Sequence, residues 1–434
     1  MALLLEGAHV TDPAVGIDGV ADILVRDGRV VSVGRDLDLP EKLHTVNLEG
    51  LRLVPGLVDA HVHLRDPGQE YKEDIPSGMR AAARGGFTAI APMANTSPAI
   101  DTASMVDYEL ERAAYAPGRT RVLPIGACTK GLSGTELAEM ADMRRAGAVA
   151  FSDDGHGIQD GGVMRLVMDY AKMLGVAVLS HCQMTDITAG GVVNEGAAST
   201  RLGLAGWPAA GEEVQIARDI ELSRLTGCPI HIQHLTTAHA VEIVRRAKAD
   251  GVNVTCEVTP HHLFLTEDDI SEADYDTNLK MNPPLRTRED AEALQEALVD
   301  GTIDMVSTDH APHAAHEKAL EFSLAPFGTT GLETALSLLL THLVLPGKMS
   351  WQRFVEVTAI APRALLRQPQ VRIEPGGIAD YTVIDTDEVW TVGEDGYESK
   401  SANSAFAGQC LTGRARWVFT DGYATLEDGR VTFC

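Results

Sequence analysis

No two of the six cysteines stand close enough to work together. Cys128, Cys182, Cys228, Cys256, Cys410 and Cys434 are scattered singly, and no C-x-x-C pair occurs. That argues against a disulfide framework and a thiolate zinc site, so most read as small core residues and any metal must be held by nitrogen and oxygen. Positive charge is scarce as well: 36 Lys and Arg against 62 Asp and Glu give a net charge of −26. This argues against nucleic-acid and anionic-membrane partners, and an anionic substrate would need local cations to overcome the average field. Long hydrophobic runs are missing. The longest, around Ala335 to Leu345, is interrupted by Thr341 and His342 and is too short to span a bilayer. The apolar opening Met1-Ala2-Leu3-Leu4-Leu5 meets Glu6 without a basic lead, too short for a signal peptide. The expectation is a cytoplasmic protein.

What is present is a regular alternation. Eight short apolar runs lie between about residues 55 and 310: Leu57–Leu64, Phe87–Pro92, Val122–Ala127, Ala148–Ser152, Val176–His181, Ile230–Leu235, Val252–Val258 and Ile303–Asp309. Each is continuous rather than alternating, as parallel strands covered on both faces are. Between them lie helical stretches such as Glu136–Arg145, Met164–Leu174, Glu212–Leu225, His239–Ala249 and Arg288–Leu298. Eight strand-helix units predict a (β/α)8 barrel over residues 55–370; a doubly wound open sheet would not explain where the polar residues fall. The two ends, 1–54 and 371–434, read as hairpin material, with Asp27-Gly28 at one turn. They predict one small β-sandwich built from both termini. The stretch from Thr185 to Ala210 is long, Gly- and Ala-rich and poorly patterned, which marks a functional or mobile loop.

Barrel chemistry sits at the C-terminal ends of the strands. There the first run ends in His61 and His63, the fourth runs into Asp153-Asp154, the fifth ends at His181, the sixth at His234 and the eighth at Asp309. His61 and His63, two apart, share one face of a strand. Four histidines and two aspartates at one mouth suit two divalent ions such as zinc, with Asp154 placed to bridge them.

These residues carry a resemblance. Pro55-Gly56-Leu57-Val58-Asp59-Ala60-His61-Val62-His63-Leu64-Arg65 is similar to the opening signature of the amidohydrolase superfamily. More narrowly, His63-Leu64-Arg65-Asp66-Pro67-Gly68 with Tyr71-Lys72-Glu73-Asp74 resembles the class I bacterial dihydroorotases. So do Pro92-Met93-Ala94-Asn95-Thr96, Asn282-Pro283-Pro284-Leu285-Arg286, Ser307-Thr308-Asp309-His310-Ala311-Pro312-His313 and Ala325-Pro326-Phe327-Gly328. The resemblance covers essentially the whole chain. It implies two Zn2+ per subunit, held by His61, His63, Asp154, His181, His234 and Asp309. Asp154 bridges where many superfamily members use a carbamylated lysine; Lys130, the nearest lysine, reads as solvated. It implies reversible cyclisation of N-carbamoyl-L-aspartate to L-dihydroorotate in pyrimidine biosynthesis, with Asp309 as general acid and base. Substrate contacts fall to His63, Arg65, Asn95, Asn282, His313, Phe327 and Gly328. A homodimer and aspartate transcarbamoylase are the implied protein partners.

Alternatives are a hydantoinase or allantoinase on the same metals, and an inactive partner of aspartate transcarbamoylase, though such relatives lose the metal ligands. Asp153 beside Asp154 leaves a register ambiguity. Gln183 stands where the family often carries Glu, and Cys182 beside it is a competing ligand. His231, His261 and His262, and the isolated His156, His239, His310 and His316, read as packing, hydrogen-bonding or solvated residues.

Overall fold

A computed structural model describes residues 2–432, so Met1 and Cys434 lie outside the described residues. The barrel strands are Leu57–Val62, Phe87–Pro92, Arg121–Val122 with Ile125–Gly126, Ala150–Ser152, Val178–Ser180, Ile230–Ile232, Val254–Val258 and Met305–Val306. Neighbours pair in parallel throughout. The ring closes where His63 N–H donates to the His310 carbonyl at 2.8 Å, beside a parallel bridge between Val62 and His310.

The third strand comes in two pieces instead of the expected single run Val122–Ala127. Arg121–Val122 pairs with the second strand, and Ile125–Gly126 pairs with the fourth. Pro124 between them has no N–H to donate, although its carbonyl still accepts from Val149 at 2.9 Å. The helix expected over Glu136–Arg145 starts later, at Met140, because Leu137 forms a bridge with Thr129. Elsewhere the crossover helices follow the pattern, with Gly161–Leu174, Ala210–Thr226, Ala238–Ala249 and Arg288–Asp300. Small and branched side chains, among them Val58, Ala60, Ala89, Ala91, Ile125 and Leu179, fill the barrel interior. Buried polar residues such as Asp59, His231 and Glu257 lie among them, and the ligand candidates stand at the strand ends.

Nine strands from the two ends form one hydrogen-bonded sheet. Arg52–Pro55 joins the N-terminal strands to Tyr381–Thr391 in antiparallel register, Tyr381 opposite Pro55. Asp27 and Gly28 take φ of 51° and 73° at the tight turn between Ile17–Arg26 and Arg29–Gly34, the left-handed pair such hairpins need. Inward residues of both ends, including Leu5, Val10, Ile23, Leu53, Tyr381, Val383 and Phe419, share a core separate from the barrel's.

The segment after the fifth strand is not the unpatterned loop its composition suggests. It holds the helices Thr185–Thr188 and Ala197–Leu202 and a parallel pair, Val193–Asn194 with Gly206–Trp207. Arg286 fastens it, donating to Asn194 Oδ1 at 2.7 Å and to the Trp207 carbonyl at 3.0 Å. The same guanidinium meets Glu212 at 3.4 Å and Thr236 at 3.1 Å. The arginine of the Asn-Pro-Pro-Leu-Arg run is therefore an anchor for this segment. Among the described residues no helix is long and apolar enough to cross a membrane.

Candidate metal centre

All six ligand candidates converge at the barrel mouth as two buried triads, His61–His63–Asp309 and Asp154–His181–His234. Asp154 lies between the triads: Oδ1 is 3.4 Å from His61 Nε2 and 3.3 Å from His181 Nδ1, and Oδ2 is 3.5 Å from His63 Nε2. His63 Nε2 is 2.9 Å from Asp309 Oδ1, and His234 Nε2 is 2.8 Å from His181 Nδ1. Reaching this geometry takes unusual backbone. Arg65, His234 and Asp309 have φ of 59°, 32° and 46°, a region non-glycine residues occupy at a cost where function requires it. At His234 the turn swings the side chain into the mouth two residues after its strand ends at Ile232.

Each of three histidines binds its proton on the side away from the mouth. His61 Nδ1–H donates to Glu257 Oε1 at 2.7 Å, and His63 Nδ1–H to Asn95 Oδ1 at 2.9 Å. His181 Nε2–H donates to Gln183 Oε1 at 3.1 Å, the amide being oriented by its other end on Thr188 Oγ1. Such outer partners fix the tautomer of a metal-binding imidazole. They leave three nitrogen lone pairs facing carboxylate oxygens at 2.9–3.5 Å. Lone pair against lone pair is repulsive unless a cation, a metal ion or a proton, lies between them. Asp154 Oδ1 is buried with no hydrogen-bond donor among the described residues, which points to the same need. Burial opposes charge on His61, but Asp154, Asp309 and Glu257 together hold its pKa well above the ordinary value. The donor set of imidazole and carboxylate fits zinc and similar first-row ions.

The structure resolves several doubts left by the sequence. Asp153 turns away from the mouth and accepts from the Cys128 and Thr129 amides at 2.9 and 3.0 Å. Cys182 points its thiol at Ser180 and stands outside both triads, its pKa pushed well up by burial. Lys130 is exposed and paired with Glu136. Gln183 is an orienting partner of His181. His310, expected to be solvated, is buried between Glu73, 3.2 Å away, and the Gly331 amide. His231 faces inward and meets Glu257 Oε2 at 3.1 Å. Glu257 thus links His231 to His61, a partnership that no local pattern announces.

A cavity of about 280 Å3 opens on the triads, and Arg65, Asn95, Asn282, His313, Phe327 and Gly328 line it. Arg65 makes no ion pair among the described residues; its Nε–H reaches the Pro312 carbonyl at 3.3 Å. Asn282 Oδ1 is buried and without a donor among the described residues, ready to accept an N–H from a ligand. Asn95 is already engaged, since its amide also donates to Asp154 Oδ2 at 3.1 Å. His313 Nε2–H donates to the Phe327 carbonyl at 2.7 Å, which leaves Nδ1 bare. Burial, with Arg65, Lys318 and Lys72 nearby, holds His313 down to about 2, so its ring is neutral. The Gly328 N–H donates to the Lys280 carbonyl at 2.7 Å and has no proton left for a ligand. Its φ is 122°, and an added Cβ would meet Ala311 Cβ at 2.6 Å, so only glycine fits there.

A parallel barrel with two imidazole–carboxylate triads at its mouth and a small β domain defines an amidohydrolase. Solved structures agree. L-hydantoinase (dihydropyrimidinase) from Arthrobacter aurescens superposes with a TM-score of 0.87 at 25% identity, covering 99% of this chain and 97% of that one. The pattern of the dihydro-orotase-like family matches residues 50–240. Dihydroorotases of Acetivibrio thermocellus and Geobacter metallireducens are each 46% identical, over 98% and 97% of this chain and 99% of each relative. The chain belongs to the dihydroorotase family.

Proposed function

We propose that the chain interconverts N-carbamoyl-L-aspartate and L-dihydroorotate, a step of pyrimidine biosynthesis in the cytoplasm, using two zinc ions. His61, His63, Asp154, His181, His234 and Asp309 would hold the ions, with Asp154 shared. The observation that carries the reading is the set of lone pairs and the donorless Asp154 oxygen meeting at the mouth. When bound, the ions supply Lewis acidity, polarising an amide carbonyl and lowering the pKa of water.

The protein's own groups do the rest. Asp309 is the most open of the six, 8% exposed against 0–6% for the others, and its Oδ2 makes no hydrogen bond among the described residues. His61 and His63 hold its carboxyl well below the usual range against the effect of burial, so it starts as a base. In ring opening Asp309 takes the proton of the attacking water as the new C–O bond forms. It returns that proton to the ring nitrogen as the C–N bond breaks. Ring closure runs through the same groups in reverse. Arg65, free of carboxylate partners among the described residues, offers its planar fork to the substrate carboxylate. Asn282 Oδ1 accepts a ring N–H, and Phe327 and Gly328 form the wall beside it. Asn95 acts through His63 and Asp154 as an orienting group. His313 packs beside Arg65, its Nε2 3.4 Å from Arg65 Nη2, and helps shape that side of the pocket. The division into a composite β domain of residues 1–54 and 371–434 and a catalytic barrel of 55–370 belongs to the same proposal.

Elemental analysis with turnover tests the reading. About two zinc ions per chain are expected, with activity on L-dihydroorotate lost on chelation and restored by zinc. A fully active chelated protein would contradict it.

A further inference from the structure

The wall that carries Phe327 and Gly328 belongs to a segment, residues 319–328, outside any regular helix or strand. Its outer side is open, with Leu320 47% and Leu324 69% exposed. On the inner side two buried lysines meet its carbonyls. Lys280 Nζ donates to Ser323 O at 3.0 Å and to Ala325 O at 2.7 Å. Lys318 Nζ donates to Pro326 O and to Thr277 O, both at 2.9 Å. Neither lysine makes an ion pair among the described residues. An ammonium in a protein of net charge −26 normally finds a carboxylate; here four carbonyl dipoles take that place. Lys280 Nζ also lies 4.5 Å from the centroid of the Phe327 ring, within cation–π range. On the same ring Trp207 packs edge-on at 5.9 Å. Burial draws Lys280 down to about 8 and Lys318 to about 7, while the converging carbonyls favour the charged form.

We propose that Lys280 and Lys318 are positioning residues for substrate recognition, drawing the carbonyls of Ser323, Ala325 and Pro326 inward so that Phe327 and Gly328 stand against the bound ring. The effect on recognition rests on the dihydroorotase reading; the pinning of the segment does not. The lysines touch the wall and not the reacting atoms, so their loss should weaken binding more than turnover.

Hydrogen–deuterium exchange over residues 319–328 in the metal-loaded protein without substrate, together with kcat and KM for L-dihydroorotate, tests this in Lys280→Met, Lys318→Met and Lys318→Arg. Methionine fills the space and removes the donors; arginine keeps donors and charge. Faster exchange confined to that segment is expected in both methionine variants. KM should rise about 10-fold with kcat changed by less than about 3-fold, and Lys318→Arg should recover most of the loss. Unchanged exchange in the methionine variants overturns the pinning. A fall in kcat at constant KM overturns the role in recognition. If the wild-type protein fails to open dihydroorotate, the functional reading fails and the exchange result alone decides the pinning.

Discussion

His61, His63 and His181 direct their lone pairs into the mouth because Glu257, Asn95 and Gln183 take their protons behind it. Two substitutions test this separation of roles. Glu257→Gln keeps the shape of the support but removes its charge, and affinity for the ion on His61 should fall about 10- to 100-fold, measured by competition with a chromophoric chelator. Asp309→Asn keeps an oxygen at the candidate ligand position but removes the proposed proton carrier. Its kcat should drop by about 10²- to 10⁴-fold while metal content stays near that of the wild type; loss of metal along with activity would assign Asp309 a ligand role only. The six ligand candidates are legible in the sequence because barrel strands end in register and the spacing of His and Asp follows those ends. Glu257 is not. It sits one residue before the end of the apolar run Val252–Val258, and its partners are 26 and 196 residues away. His310 misleads for the same reason, since Glu73, 237 residues distant, defines its environment.

Elements are legible in the sequence where periodicity alone decides them and less so where one side chain intervenes. Pro124 divides a strand that composition presents as continuous. The segment from 185 to 210 has too few apolar residues to declare its short strands, and its order comes from Arg286 about 80 residues later. Removing that anchor with Arg286→Met should expose the segment, seen as faster tryptic cleavage after Arg201 in the native protein; cleavage at the wild-type rate would leave Arg286 without this role. A second test lies in the helix Ala103–Tyr115. Glu109 is buried there with neither carboxylate oxygen bonded among the described residues, and burial raises its pKa well above the ordinary value. A raised pKa gives stability that is complete below the unfolded value of about 4.5 and is lost as pH climbs through the folded one. Glu109→Gln should therefore remove part of the decline in Tm with rising pH. At pH 8 we expect Glu109→Met to be more stable than the wild type by about 1–3 kcal/mol, checked by thermal denaturation.

At the scale of the whole molecule, the sequence conveys a barrel flanked by β-rich ends, and Arg52–Pro55 pairing with Tyr381–Thr391 shows how those ends meet. The acidic average is offset locally: Arg65 faces the pocket, and Lys280 and Lys318 lie beneath its wall. Because the triads join residues from five barrel strand ends, metal binding should stabilise the entire fold. Stripping the metal should lower Tm, the ion contributing roughly 4 kcal/mol when free at 1,000 times its Kd; an unchanged Tm would mean the barrel does not depend on it. The reaction itself is decided by offering the zinc-loaded protein L-dihydroorotate, hydantoin and allantoin in parallel. Ring opening of L-dihydroorotate at a rate far above the other two is the predicted result. Preference for either other ring, with the metals bound, would contradict it.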